Sequence, residues 1–201
     1  GGMMDQCCTA MGGCICLSQK PFQIKKMHPN LGKFVLGNSK QPKDTLGILR
    51  RCRDQRILMM KKLKKRYPDL GFRDCEMEHG NSILNSKEKK LLEATIKNRE
   101  ILFQAKIELS RKKLDHAKIG KLLLDHHMVL RDLLKISTDK IEKMIDVSMN
   151  AGAIGAKING SGGGGCMFAY APDDPQRVAN AINKVGGHAT IIHSGDGVRI
   201  A

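Results

Sequence analysis

A glycine-dense turn constrains this chain more than any other feature: five of the six residues from Gly160 to Gly165 are glycine, with Ser161 the exception. Its flanks decide how to read it. Ala156-Lys157-Ile158-Asn159 before the run and Cys166-Met167-Phe168-Ala169-Tyr170 after it carry the short, largely apolar pattern of strands, whereas a flexible linker has polar flanks. Glycine admits positive φ and lets a ligand approach peptide N–H groups with no Cβ in the way, which is how anion-binding concavities are built. A Walker-type phosphate loop requires Lys-Ser/Thr directly after the glycines and a helix behind them, and a dinucleotide fingerprint also needs a following helix. Cys166-Met167-Phe168-Ala169 supplies neither. The element reads as a strand-loop-strand turn in an active site, suited to a phosphate group or its transition state.

Charge and composition exclude several classes. The net charge of +15 comes from 35 Lys and Arg against 20 Asp and Glu. Much of the excess lies on predicted helices, in Arg50-Arg51-Cys52-Arg53, Lys61-Lys62-Leu63-Lys64-Lys65-Arg66 and Arg111-Lys112-Lys113, where solvated faces account for it. Aromatic residues make up 3% of the chain, too few for base stacking, so nucleic acid is not an expected partner. No apolar run reaches the length of a membrane span and the N-terminus lacks the order of a signal peptide, which gives a cytoplasmic expectation with no membrane association. The seven cysteines are odd in number and lack paired spacing, so reduced thiols are expected rather than a disulfide scaffold or zinc site. Cys14-Ile15-Cys16 runs on into Leu17 in an apolar stretch, as small buried thiols do. Asp125-His126-His127 is similar to the metal triplet of DHH phosphoesterases but falls inside a helical pattern, where successive side chains point apart. No metal site is predicted.

The chain of 201 residues is long enough for one or two domains with a real core. Asp5 to Met11 has helical character and stops at Gly12-Gly13; Cys14 to Leu17 and Gly32 to Gly37 read as strands. Asp44 or Thr45 caps a helix to about Arg66, with Leu46, Leu49, Cys52, Arg56, Met60 and Leu63 as one stripe. Residues 69–84 form a connector. Asn85 and Glu88 make a capping box for a long helix striped by Leu92, Ile96, Arg99, Leu102, Phe103, Ile107 and Leu109. Further helices are expected over about 117–135 and 139–150. The end alternates: strands around the glycine loop, a helix opened by Asp174-Pro175 and stopped by Gly186-Gly187, then strands at His188–His193 and Gly197–Ile200. Segregated helices and hairpin-like joins indicate α+β rather than a doubly wound sheet.

These residues resemble a family. Ser137-Thr138-Asp139-Lys140-Ile141 together with Gly152-Ala153-Ile154-Gly155-Ala156-Lys157-Ile158-Asn159-Gly160-Ser161 through Cys166 is similar to the C-terminal glycine motif of the GHMP small-molecule kinases and the helix before it. Within that superfamily Gly2-Met3-Met4-Asp5-Gln6 resembles the Met-Asp-Gln segment of galactokinase-like sugar kinases, and His127-Met128-Val129-Leu130-Arg131-Asp132 resembles their Ser-His-x-x-Leu-Arg-Asp helix. The resemblance implies Asp5 as catalytic base beside the anomeric hydroxyl. Gln6 and Arg51 are then further substrate-binding residues. Asn159, Gly160, Ser161, Gly162, Gly163, Gly164 and Gly165 become the active-site loop. An attacking hydroxyl does need a positioned acceptor for its proton. Read alone, an Asp before a short helix is also an ordinary cap, and Lys157 either meets phosphate oxygens or points into solvent.

The implied fold is an α+β GHMP-kinase-like C-terminal domain, an antiparallel sheet with helices packed on one face, over residues 44–201. Residues 1–43 are the end of an incomplete N-terminal α+β domain. The implied cofactors are ATP and Mg²⁺. The family's phosphate-cradling Gly-Ser-Ser loop and upstream Mg²⁺-holding glutamate are absent, so the chain is expected to be a fragment, inactive alone, with the missing N-terminal kinase half as partner. Its expected activity is phosphoryl transfer from ATP to the anomeric hydroxyl of a hexose. The alternatives are a mevalonate, homoserine or heptose kinase, or a non-catalytic sugar- or RNA-binding regulatory module.

Overall fold

The computed structural model describes residues 3–19, 21–43 and 45–198, and the side chain of residue 49 lies outside the description. Along the chain run α1 (Met4–Met11), the strands β1 (Cys14–Gln19), β2 (Phe22–Met27) and β3 (Phe34–Asn38), then α2 (Thr45–Lys64) and a 3-10 turn (Met77–Gly80). After these come α3 (Ser86–Leu109), α4 (His116–Met128) continuing into a π-helical turn (Val129–Leu133), α5 (Asp139–Asn150), β4 (Gly155–Ile158), β5 (Cys166–Tyr170), α6 (Pro175–Lys184) and β6 (His188–Ile192).

Four strands form one antiparallel sheet in the order β4-β5-β3-β6. Its register aligns Ala156, Ala169 and Val35 in one row and Ile158, Met167 and Gly37 in another on the same face. Those residues, unlike Phe34, Leu36 and Phe168 on the other face, are buried. Alternate side chains of a strand point to opposite faces, so a single covering layer buries every second residue. α5 and α6 supply that layer: a Cβ on Gly37 would lie 2.7 Å from Met144 Cε and 3.3 Å from Ile182 Cδ1. Met144, Ile158, Met167 and Ile182 are fully buried, each contributing about 1.5–3 kcal/mol by leaving water. This is the expected α+β arrangement, an antiparallel sheet with helices on one face.

The expected division at residue 43 falls after β3, whereas β3 pairs with β5 on one side and β6 on the other. Residues 34–38 thus sit in the middle of the four-stranded sheet. The second sheet is the hairpin β1-β2, of which the sequence pattern indicated only the first strand. α1 buries no residue; its end is tied to the late chain by Gly13 N–H donating to Gly195 O at 2.7 Å and a bridge between Gly12 and Asp196. That bridge lies just before the strand expected over 197–200; residues 197 and 198 are not in a strand, and residues 199 and 200 lie outside the description, as do Gly2 and the proposed cap Asp44.

Helix starts follow the capping signals. Asn85 Oδ1 accepts from Glu88 N–H at 3.0 Å while Glu88 Oε2 accepts from Asn85 N–H at 3.0 Å, a reciprocal box that satisfies two orphan donors. Thr138 caps α5 and Asp174 caps α6 ahead of Pro175. The expected continuous helix over 117–135 instead loosens into the π turn. Among the described residues, no helix is long and apolar enough to cross a membrane.

Candidate active site

The glycine loop joins β4 to β5, and Asn159 N–H closes it on Cys166 O at 2.8 Å. It is wedged between two segments. On one side lies the turn after the π segment, where Ile136 O accepts from Gly163 N–H at 2.7 Å. On the other lies the connection from β3 to α2, where Gln41 O accepts from Gly165 N–H at 3.3 Å and Ser39 N–H donates to Gly165 O at 2.8 Å. Gly162 has φ +83° and a Cβ there would stand 2.5 Å from Ile136 O; Gly164 has φ +115° and its Cβ would stand 2.6 Å from Pro42 O. Both the left-handed backbone and the close approach demand glycine. Gly164→Ala is expected to cost about 2 kcal/mol or more in strain and clash. Urea unfolding checks this; a loss below about 0.5 kcal/mol, the usual effect of a neutral surface substitution, counts against the wedged geometry.

The loop keeps donors in hand. Among the described residues the N–H groups of Gly160, Ser161, Gly162 and Gly164 make no backbone hydrogen bond, and Ser161 Oγ is buried without a partner. Lys43 reaches over the loop mouth, its Nζ donating to Asn159 O at 3.4 Å and lying 2.9 Å from where a Cβ of Gly160 would be. Free N–H groups, a hydroxyl and an ammonium are all donors of the kind that an anion accepts from.

A buried histidine holds the loop's approach. His127 is 1% exposed; Ile158 N–H donates to its Nδ1 at 3.3 Å, so its proton sits on Nε2 and is donated to Glu142 Oε1 at 2.9 Å. Glu142 also accepts from the Ser137 hydroxyl and from Arg131 Nη1 at 3.4 Å. One imidazole therefore links β4, one residue before the loop, to the first turn of α5. Burial drives its pKa down, against the upward pull of Glu142, and the Ile158 contact requires the neutral ring. The π turn assists this geometry: Ile136 N–H donates to Leu130 O at 3.1 Å, which folds the chain back so that Ile136 O faces Gly163.

The residues singled out from sequence take separate places. Asp5 and Gln6 lie exposed on α1. Arg51 donates to Leu134 O and Lys135 O, both at 3.1 Å, bracing the turn that leads to Ile136. Lys157 does not simply point into solvent: burial lowers its pKa to about 8, and its ammonium donates to Ile158 O at 2.9 Å and sits 5.1 Å from the Phe168 ring centroid. Lys43 and Thr138, whose hydroxyl donates to Gln41 Oε1 at 3.0 Å, were not singled out as site residues. Their position beside the loop comes from tertiary folding, and no local motif marks them. Among the described residues, no group of three or more His, Cys, Asp or Glu could hold a metal ion.

The family described as "GHMP kinases C terminal" matches residues 106–188. Mevalonate kinase of Thermococcus gammatolerans is 44% identical over 89 residues, covering 44% of this chain and 26% of that protein. Galactokinase of Clostridium tetani is 27% identical over 203 residues, covering 93% of this chain and 51% of that protein. The chain thus spans about half the length of that galactokinase and about a quarter of that mevalonate kinase. Among solved structures, Lactococcus lactis galactokinase complexed with galactose superposes with a TM-score of 0.82 at 18% identity, covering 98% of this chain and 55% of that one. Mevalonate kinase of L. major in complex with R-mevalonate gives 0.55 at 18% identity over 82% of this chain and 40% of that one. Over residues 106–188 the chain therefore matches the C-terminal domain of the GHMP kinases.

Proposed function

We propose that the chain is the C-terminal part of a GHMP-type kinase that transfers the γ-phosphoryl group of ATP to an alcohol, with the anomeric hydroxyl of a hexose as acceptor. The observation that carries the reading is the glycine loop, with its unspent N–H groups, the buried Ser161 hydroxyl and Lys43 at the mouth. Phosphoryl transfer depends on positioning and on donors aimed at oxygens that gain charge, and such a cradle provides both. In the step, the acceptor oxygen bonds to the γ-phosphorus as the bond to the β–γ bridging oxygen breaks. ADP departs with that electron pair, and Asp5 takes the hydroxyl proton. Gln6 is assigned to substrate binding with Asp5. Arg51 borders the site and fixes the carbonyls that lead to Ile136. The phosphate-cradling loop and the Mg²⁺ ligands are assigned to an N-terminal half that partners these residues.

Support for a sugar acceptor is the extent of the galactokinase sequence match, 93% of the chain. A mevalonate acceptor is favoured by the higher local identity of 44%. Coupled ATP-consumption assays on the full natural protein with galactose and with mevalonate separate the two. Galactose turnover is expected, and turnover of mevalonate alone would replace the sugar reading. Asp5→Asn is expected to lower kcat by about 10²–10⁴-fold while sugar affinity stays within a few fold, the signature of a lost general base. An unchanged kcat would remove Asp5 from the mechanism.

A further inference from the structure

A second cationic cleft, sharing no lining residue with the glycine loop, opens between α2 and α3. It has a volume of about 710 Å³, and its walls include Arg53, Arg56, Arg73, Arg99, Asn98 and Phe72. No carboxylate is among the residues that line it. Three of its arginines have protein partners. Arg53 pairs with Asp54 at 2.8 Å. Arg99 is spent on Arg73 O, Cys75 O and Glu76 Oε1 at 2.8, 2.7 and 2.6 Å. Arg73 reaches the Ser18 hydroxyl at 3.4 Å.

Arg56 differs. Its Nε is buried and, among the described residues, has no hydrogen-bond partner, and the same holds for Asn98 Oδ1 on the facing helix. Burial is the leading influence on the Arg56 guanidinium and works against its charge. The groups that oppose this are the thiols of Cys52 and Cys75; burial raises the pKa of Cys75. A buried guanidinium N–H and a buried amide carbonyl, each without a partner, are both costly, and native proteins rarely leave both in one cleft without a ligand to satisfy them. The two orphans call for opposite chemistry: Arg56 needs an anionic acceptor and Asn98 Oδ1 needs a donor.

We propose that this cleft is a binding site for a small hydroxylated anion of the phosphate-ester class. Its oxyanion accepts from Arg56 Nε, and a hydroxyl on the same molecule donates to Asn98 Oδ1. The wall of Phe72, Ile57 and Leu102 covers the ligand's carbon skeleton. Occupancy draws α2 and α3 together through groups that otherwise have no partner.

The test uses the full protein without ATP, so it does not depend on turnover. Titration with inorganic phosphate and with glycerol 3-phosphate at fixed ionic strength is followed by NMR at the arginine Nε–H resonances. The Arg56 signal is expected to move with both, and glycerol 3-phosphate is expected to bind at least about fivefold more tightly because its carbon-borne hydroxyls, set away from the phosphate, can donate to Asn98 Oδ1 while the oxyanion meets Arg56. Arg56→Gln should weaken glycerol 3-phosphate at least about tenfold, the loss of one charge-assisted hydrogen bond. The exposed Lys184→Gln on α6 should leave binding unchanged, and Arg56→Lys serves if the Gln variant does not fold. An Arg56 resonance unmoved by either ligand, or equal affinity in wild type and both Arg56 variants, overturns the site. Equal binding of phosphate and glycerol 3-phosphate overturns the role of Asn98.

Discussion

Gly120→Ala is expected to destabilise the protein by about 3 kcal/mol or more, as a small-to-large change against backbone does when nothing can yield. α4 crosses β4 with the two backbones in contact. A Cβ on Gly120 would fall on the carbonyl of Ile154, and one on Gly155 would fall on the carbonyl of Gly120, all well inside 3.0 Å. Helix propensity alone argues the other way, since Gly→Ala inside a helix is ordinarily worth up to about 1 kcal/mol of stability. The sign of the measured change therefore decides between local propensity and tertiary contact. Relief requires α4 to lift from β4. That motion lengthens the Ile158 to His127 hydrogen bond of 3.3 Å and loosens the support of the glycine loop. Gly152→Ala is the control: φ is +102° there but nothing stands within 4 Å of the added carbon, so only backbone strain of about 1 kcal/mol applies. Urea denaturation of both variants reads the difference, and a Gly120→Ala protein no less stable than wild type would refute the backbone contact.

That contact also marks the boundary of what the amino-acid pattern discloses. The glycine loop between two strands, the Asn85–Glu88 box and the Asp174-Pro175 start were legible because local chemistry decides them. β2 was not, since its exposed hairpin carries Gln23, Lys25 and Lys26 with only Met27 buried, and apolar alternation is weak where neither face is covered. The stripes on the long helices were legible in period but not in coverage. Met60 and Leu63 of α2 are buried while Leu46 is exposed, and on α3 Leu92 and Ile96 are buried while Leu102, Phe103 and Ile107 are exposed. Periodicity identifies a face without naming what packs on it. The π turn at Val129–Leu133 escaped for a related reason: one shifted backbone hydrogen bond leaves the side-chain spacing of Leu130 and Leu134 helical. Lys43 reaches the loop mouth only because β3 joins the middle of the sheet, a long-range pairing that no local window contains.

Acidification should weaken the fold over a range set by two adjacent histidines. Burial lowers the pKa of His126 from 6.5 to about 4, where it lines an apolar cleft with Leu109, Ile119, Leu122 and Leu123. His127 is lowered in the same direction and needs its unprotonated Nδ1 to accept from Ile158. The unfolded chain takes up these protons below about pH 6.5 and the folded chain does not, so the unfolded state binds more protons and stability must fall as pH falls. The full contribution is present above 6.5 and is lost progressively toward the folded pKa, about 4 for His126. At 1.36 kcal/mol per pKa unit His126 accounts for about 3 kcal/mol. Carboxylates held low by partners, such as Glu88 beside Lys62 and Asp132 beside Arg131, act from their ordinary values of 4.5 and 3.8 downward, so the interval between pH 6.5 and 4.5 belongs to the histidines. His126→Leu suits the apolar cleft and should flatten the stability profile in that interval. His127→Asn keeps an acceptor for Ile158 but loses the reach to Glu142, and should flatten it while lowering stability at pH 7.5. Urea unfolding at steps from pH 7.5 to 4.5 distinguishes them, and a slope in the His126→Leu protein equal to wild type would assign the acid sensitivity elsewhere. Because His127 supports the strand entering the glycine loop, protonating it should also release that loop, and hydrogen exchange at Ile158 should quicken together with the loss of stability.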